Sequence, residues 1–262
     1  KGLLRNLTIK ITSTKNIMVL LQFGFKSDFI FKLLNFLKNS FENINSILYV
    51  INMKPNDSIY DQKVNLFYGK DYITEKICGL RFKITAKTFF QTNSTQAENL
   101  FYLVKKFLEP NKNDILYDLY SGIGTIGQIL SKDVKKVIGI DVVEDSISYA
   151  TENSKLNNLS NTKYFAGNMK DVFTEDFIKQ NGKPSVSIIN PPREGIDKKV
   201  IEKIIDILPK KIVYVSCNSS TLARDLVVFE KKYEISKLQT VDMFPHTSHV
   251  ENVVLLKKTI NV

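Results

Sequence analysis

Cysteine is scarce: Cys78 and Cys217 are the only two in 262 residues. Two thiols so far apart build neither a disulfide framework nor a zinc or iron–sulfur ligand set, so reduced thiols and a cytoplasmic setting are expected. Histidine is equally rare, and His246 and His249 have no third partner with which to hold a metal. No apolar run reaches the roughly 18 residues of a membrane-helix candidate. The N-terminus also lacks the charged, apolar and small-residue order of a secretion signal. A non-exported protein with no membrane contact and no metal centre is expected.

What is present is a basic chain able to fold. At 43% hydrophobic residues the length suits one large domain or two small ones. There are 37 Lys and Arg against 27 Asp and Glu, a formal net charge of +10. The excess is uneven: residues 1–86 hold 13 basic and 6 acidic residues, and residues 87–262 hold 24 and 21. A solvated Lys-rich surface gives the same composition as a polyanion-binding face, on which each cation near a phosphate releases counterions. Composition leaves both open.

From residue 115 onward, short apolar runs alternate with amphipathic stretches, the pattern of a mostly parallel sheet covered by helices. Strands are expected at 115–120, 135–141, 163–167, 185–190 and 211–217, with a helix over Glu144–Asn157. Segments 237–244 and 250–258 follow without a helical pattern between them and read as a terminal antiparallel hairpin on the sheet edge. Earlier, residues 8–24 and 46–52 have strand character, with a helix at Phe29–Phe41 and short strands over 63–85. The expected organisation is a small basic α/β subdomain, 1–86, and a larger Rossmann-like α/β domain, 87–262. The chain opens at Lys1 without an initiator Met, so an upstream domain is expected to be missing. A monomer is the default.

Asp118 ends a strand and Ser121-Gly122-Ile123-Gly124 follows, where glycines permit a tight turn and close approach of a ligand. One strand later Asp141 can accept hydrogen bonds from two ribose hydroxyls, and after the third strand Asn168 can flank an adenine edge. The spacing points to an adenosine-type cofactor more strongly than the glycines alone. Asn190-Pro-Pro-Arg193 closes the fourth strand and holds a polar side chain at the sheet's carboxyl edge. Cys217 ends the strand at 211–217, ahead of the helix-capping run Asn218-Ser219-Ser220-Thr221. There the helix dipole is expected to favour its thiolate. C5 of uracil is a poor nucleophile unless a thiolate first adds at C6, and its proton must later be removed by a base. Glu251, just after the two histidines and at the start of the last segment, is the candidate base.

The ordered motifs FFQTNSTQAENLF (89–101), DLYSGIGTIG (118–127), NPPREG (190–195), YVSCNSSTLARDL (214–226) and VDMFPHTSHVENVVLL (241–256) closely resemble the cysteine-dependent RNA uracil-C5 methyltransferases. Those enzymes act on 23S ribosomal RNA or the T-loop of transfer RNA. The resemblance implies a class I S-adenosylmethionine-dependent methyltransferase fold, with Cys217 as nucleophile and Glu251 as base. It implies cofactor contacts at Gln91, Tyr120, Gly122, Thr125, Asp141, Asn168 and Asn190. It further implies uracil or RNA contacts at Phe90, Asn190, Arg193 and Arg224, Arg193 and Arg224 alternatively ordering the site. One of Phe89 and Phe90 is expected in the core, with Phe90 taken as the site residue. The substrate implied is 23S ribosomal RNA, with the transfer RNA T-loop or a catalytically impaired RNA-binding module as alternatives. Three departures stand out. Asn190 replaces the usual Asp, so that its amide oxygen accepts from uracil N3 more weakly than a carboxylate. Ser219 replaces the usual Pro, and an OB-like domain, which many members carry, and a four-cysteine iron–sulfur site, which some carry, are expected to be absent. An amino methyltransferase or a dinucleotide oxidoreductase would leave Cys217 without a role.

Overall fold

The computed structural model describes residues 2–259, so that the opening Lys1 lies outside them. The chain divides between Phe90 and Gln91, four residues beyond the boundary expected from the pattern. The first unit contains β1 (Leu4–Ile11), β2 (Ile17–Phe23), α1 (Phe29–Ser40), β3 (Ile44–Ile51), β4 (Asn65–Gly69), β5 (Tyr72–Ile77) and β6 (Leu80–Thr85). The first four strands form a sheet in the order β1-β2-β3-β4, and β5 and β6 form a separate antiparallel ribbon. Strand β2 is buried on both faces, which is why it reads as a continuous apolar run. Val19, Leu21 and Phe23 pack with Ile30 and Leu34 of α1, whereas Met18 and Leu20 pack with Ile73 and Ile84 of the ribbon. The stretch 8–24 is thus two strands. A polar turn separates them, with Lys15 in the left-handed region at φ 63° and its N–H donating to the Thr12 carbonyl at 2.9 Å.

Part of this unit's positive charge is structural. The Arg5 guanidinium donates to the carbonyls of Asn52 and Lys54, each at 2.6 Å, and pairs with Asp57 at 2.7 Å. Lys10 Nζ donates to the carbonyls of Thr85, Ala86 and Thr88 at 2.8, 3.3 and 3.0 Å. Burial pulls the Lys10 ammonium down to about 8.

The second unit contains α2 (Ser94–Leu108), β7 (Ile115–Leu119), α3 (Thr125–Leu130), β8 (Lys136–Asp141), α4 (Glu144–Leu156), β9 (Thr162–Ala166), α5 (Met169–Val172) and α6 (Glu175–Asn181). It continues with β10 (Val186–Ile189), α7 (Lys198–Ile207), β11 (Lys211–Ser216), α8 (Ser219–Phe229), β12 (Tyr233–Val241) and β13 (Glu251–Lys258). Its seven strands run β12-β13-β11-β10-β7-β8-β9. The five from β11 to β9 are parallel. β13 enters antiparallel beside β11 and leaves β12 at the edge. The expected terminal hairpin is therefore there, with its second strand inside the sheet. Tyr117, Ile138, Ile189, Ile204 and Tyr214 are fully buried in the core beneath the helices. Strand order reverses between β7 and β10, and such a reversal opens a crevice at the carboxyl ends of the strands. No helix among the described residues is long and apolar enough to cross a membrane.

Lys10→Met is expected to destabilise the first unit by roughly 1–3 kcal/mol, because three carbonyls lose their donor. The wild-type stability should rise from about pH 8 to the ordinary lysine value of 10.5. Over that window the unfolded chain holds a proton that folded Lys10 has released. Urea titrations at the two ends of the window check both effects, and the variant should lack the rise.

Candidate active site

After β7 the chain turns through Tyr120, Gly122 and Gly124, all left-handed at φ 63°, 54° and 76°, and enters α3. Asp118, buried on β7, accepts the Gly127 N–H at 2.9 Å and so holds the first turn of that helix. Burial chiefly, and then nearby Asp141, push its carboxyl up to about 7. Asp141 accepts the Gly122 N–H at 2.8 Å through one oxygen and the Val143 N–H at 2.9 Å through the other. Each oxygen keeps a further lone pair, so Asp141 fixes the turn and can still accept from a ligand. A Cβ on Gly122 would meet nothing within 4 Å, which leaves that side of the turn open to close approach.

Beside this turn lies a cleft of about 460 Å³ lined by Tyr120, Val142, Asn168, Met169, Ile196 and Arg224, among others. That is a nucleoside-sized space. Val142, Met169 and Ile196 give it apolar walls. At its rim Lys170 pairs with Asp197 at 2.7 Å, a hydrogen bond that holds the Asp197 carboxyl below its usual range. Asn168 caps α5 by accepting the Lys170 N–H at 3.0 Å. Gln91, which opens the second unit, Gly122, Thr125, the first residue of α3, Asp141 and Asn190 are not part of this lining.

Arg224, which lines the cleft, belongs to α8. Asn218 caps that helix by accepting the Ser220 and Thr221 N–H groups, and its amide nitrogen donates to the Arg193 carbonyl at 3.0 Å. Thr221 Oγ1 donates to the same carbonyl at 3.1 Å. The residue after Cys217 thus ties the Asn190-Pro-Pro-Arg193 segment to the thiol's helix. Arg193 itself is exposed, and its guanidinium donates to His249 Nδ1 at 3.4 Å. The register of β11 on β13 pairs Ser216 with Asn252, and one step further brings Cys217 across from Glu251. Glu251 is buried, and desolvation pushes its carboxyl up to about 7.

Two expectations are corrected here. The Cys217 thiol is pushed up, not down: burial is the main cause and the Glu251 charge adds to it, outweighing the opposite pull of Arg193. Phe90 packs against the first unit's core, 6.1 Å from the Phe82 ring, while Phe89 is the exposed ring at 69%.

Of the two roles open to Arg224, the structure shows ordering. Its Nη2 donates to the Glu194 carbonyl at 2.9 Å, and it pairs with Asp225 at 2.7 Å. Asp225 and Tyr214 were not singled out by sequence. Asp225, 1% exposed, accepts the Ile196 N–H at 2.8 Å and the Tyr214 hydroxyl at 2.7 Å. Gly195 lies so close that a Cβ there would stand 2.6 Å from Asp225 Oδ2. The only sequence signal was an Arg-Asp pair on an otherwise apolar helix.

Fold and site define a Rossmann-like domain with a nucleotide-sized cleft and a thiol–carboxyl pair at the sheet's carboxyl edge. The profile of the tRNA (uracil-5-)-methyltransferase family matches residues 58–259, and the chain belongs to that family. It is 46% identical over 261 residues to an RNA methyltransferase of Bacteroides thetaiotaomicron, covering 98% of this chain and 58% of that protein. A Porphyromonas gingivalis RNA methyltransferase is 47% identical over 260 residues, covering 98% and 56%. Among solved structures, the Pyrococcus abyssi tRNA (uracil-54, C5)-methyltransferase in complex with S-adenosyl-L-homocysteine matches with a TM-score of 0.82 and 32% identity. That match covers 98% of this chain and 60% of that one. The expected class I methyltransferase fold is borne out, and the chain spans somewhat more than half the length of these relatives.

Asp225→Ala is expected to cost about 3 kcal/mol or more, since three donors lose a buried acceptor. Tyr214→Phe, which removes one of those bonds, should cost about 1 kcal/mol. Denaturant midpoints at constant slope check the ranking.

Proposed function

We propose that this chain carries the catalytic domain of an S-adenosylmethionine-dependent RNA uracil-C5 methyltransferase. The observation that carries the reading is the pairing of Cys217 with a buried Glu251 across β11 and β13, at the edge where Asn190-Pro-Pro-Arg193 is pinned. The cleft fits the cofactor. Its size and apolar walls suit an adenosine, the open side of Gly122 admits close backbone approach, and Asp141 retains lone pairs for ribose hydroxyls. Asn168 and Tyr120 stand on its walls, with Gln91, Thr125 and Asn190 as further contacts by position.

When bound, S-adenosylmethionine supplies an electrophilic methyl group that C5 of the target uracil takes up. This chain's residues make C5 able to do so. Cys217 Sγ, once deprotonated, bonds to C6, and the electron pair of the C5–C6 double bond moves toward C5 and the C4 carbonyl. Asn190 Oδ1 accepts from uracil N3. After methylation Glu251 removes the C5 proton, the double bond reforms, and the thiolate leaves with the electron pair of the C6–S bond. A stacked uracil cannot be approached from both faces, so the base is flipped out of its helix. The basic first subdomain holds the RNA, and Arg193 contacts it.

We take 23S ribosomal RNA as the substrate. The second reading, the T-loop of transfer RNA, is favoured by the name of the matching family and of the archaeal structure. The test is incubation with methyl-labelled S-adenosylmethionine and unmodified transcripts of both RNAs, followed by nucleoside chromatography. Label in 5-methyluridine with wild type and none with Cys217→Ala supports the reading, and the labelled transcript names the substrate. Label in another nucleoside, or unchanged label with the variant, overturns it. Turnover should climb through about pH 7, as Glu251 gains the charge it needs, and continue upward because the Cys217 thiol is pushed up as well. Glu251→Gln is expected to lower turnover about 10²–10⁴-fold.

A further inference from the structure

The segment 242–250 runs from β12 into β13 and is tied down at both ends. At its start Met243 is buried. Asn93, the cap of α2, donates through its amide to the Met243 carbonyl at 3.1 Å, and the Gln96 amide donates to the Asp242 carbonyl at 3.1 Å. At its end Glu251 is buried at the head of β13. Between these anchors a turn closes. The Thr247 N–H and hydroxyl both donate to the Phe244 carbonyl, at 3.1 and 2.7 Å, and Thr247 Oγ1 accepts the His249 N–H at 3.2 Å. These ties set where the His249 ring stands, with its Nδ1 accepting from the Arg193 guanidinium at 3.4 Å.

Arg193 is therefore held twice. Its carbonyl accepts from Asn218 and Thr221, the cap and first turn of the helix that follows Cys217, while its side chain is steadied by His249. The charges around the thiol show what the pair can serve. Burial disfavours the Cys217 thiolate, and Glu251 and, more weakly, Glu194 repel it; against them stands Arg193, whose charge favours it. An exposed arginine spreads over many rotamers, so a compensating charge on it acts at full strength only when a neighbour fixes it.

We infer that His249 is a positioning residue: by accepting from Arg193 it holds the guanidinium beside Cys217, where its charge compensates the thiolate. The inference rests on the proposed reading of Cys217 as nucleophile. It adds a role for His249, which no metal or proton transfer requires, and makes Arg193 a partner of the sulfur as well as of RNA.

The test is the rate at which iodoacetamide alkylates Cys217, followed against pH by mass spectrometry in a Cys78→Ser background, where Cys217 is the one thiol left. Arg193→Gln and His249→Ala should each slow alkylation at about pH 7.5 by about threefold or more and move the midpoint of the profile upward. His249→Phe, which keeps a ring but no acceptor, should be as slow as His249→Ala, whereas His249→Gln, whose amide oxygen accepts from a guanidinium, should recover most of the wild-type rate. Because His249 acts through Arg193, the double variant Arg193→Gln, His249→Ala should be no slower than Arg193→Gln alone. A wild-type profile from His249→Ala or His249→Phe overturns the proposal, as does an additive double variant. Alkylation needs neither RNA nor cofactor. A wild type that forms no 5-methyluridine therefore refutes the proposed chemistry, while the role of His249 is judged on the thiol alone.

Discussion

The antiparallel pairing of β11 with β13 is the constraint on which the site depends. A parallel strand in that position would bring the start of β13 to the far end of β11 and leave the thiol without a carboxyl. Because β13 runs the other way, its first residue, Glu251, meets the last turn of the chain out of β11, where Cys217 stands. Register is strongly specified there, since Val253, Val254, Leu255 and Leu256 are buried and a slip of one residue would turn every side chain to the other face. The core thereby sets the chemistry: packing of four aliphatic residues fixes which acidic group faces the sulfur.

Burial that holds the pair together also sets its acidity. Both groups are more easily neutral than in water, the carboxyl near 7 and the thiol pushed up partly by the carboxyl's own charge. A carboxyl poised near neutrality suits a base that must take a proton and give it up again in each cycle. The wall opposite is held by a different device. Asn218 serves at once as helix cap and as clamp on the Arg193 carbonyl. Asp225 gathers Tyr214, Arg224 and the Ile196 N–H around one buried carboxylate. Loops at the carboxyl edge of a sheet have few apolar contacts, and these polar ties take the place of packing.

Much of the second unit was legible in sequence because its strands are short apolar runs ended by Asp, Asn or Cys, and its turns carry glycines. That Asp141, Gly122 and Asn168 stand at or just beyond the carboxyl ends of strands could be read from that pattern alone. What escaped was whatever depends on burial. The acidity of Cys217 follows from how deeply the strand end lies, which no spacing reports, and a helix dipole argued alone gave the wrong sign. Asp225 sits next to an arginine on a helix, a pattern that normally marks a solvated pair. Phe89 and Phe90 are adjacent and equally apolar, so only the direction in which the chain leaves β6 separates the core ring from the exposed one. The run at 8–24 hid a turn because its residues are Thr, Ser, Lys and Asn, without the Gly or Pro that usually announces one.

The central claim is that Cys217 makes C5 reactive and Glu251 takes the C5 proton. Its most direct measurement is tritium release from transcripts made with uridine tritiated at C5, alongside methyl incorporation. The account predicts one tritium released for each methyl gained in wild type, none from Cys217→Ala, and retention in Glu251→Gln within a covalent protein–RNA adduct that survives denaturation. Methyl gain without tritium loss, or tritium release from Cys217→Ala at the wild-type rate, would contradict it.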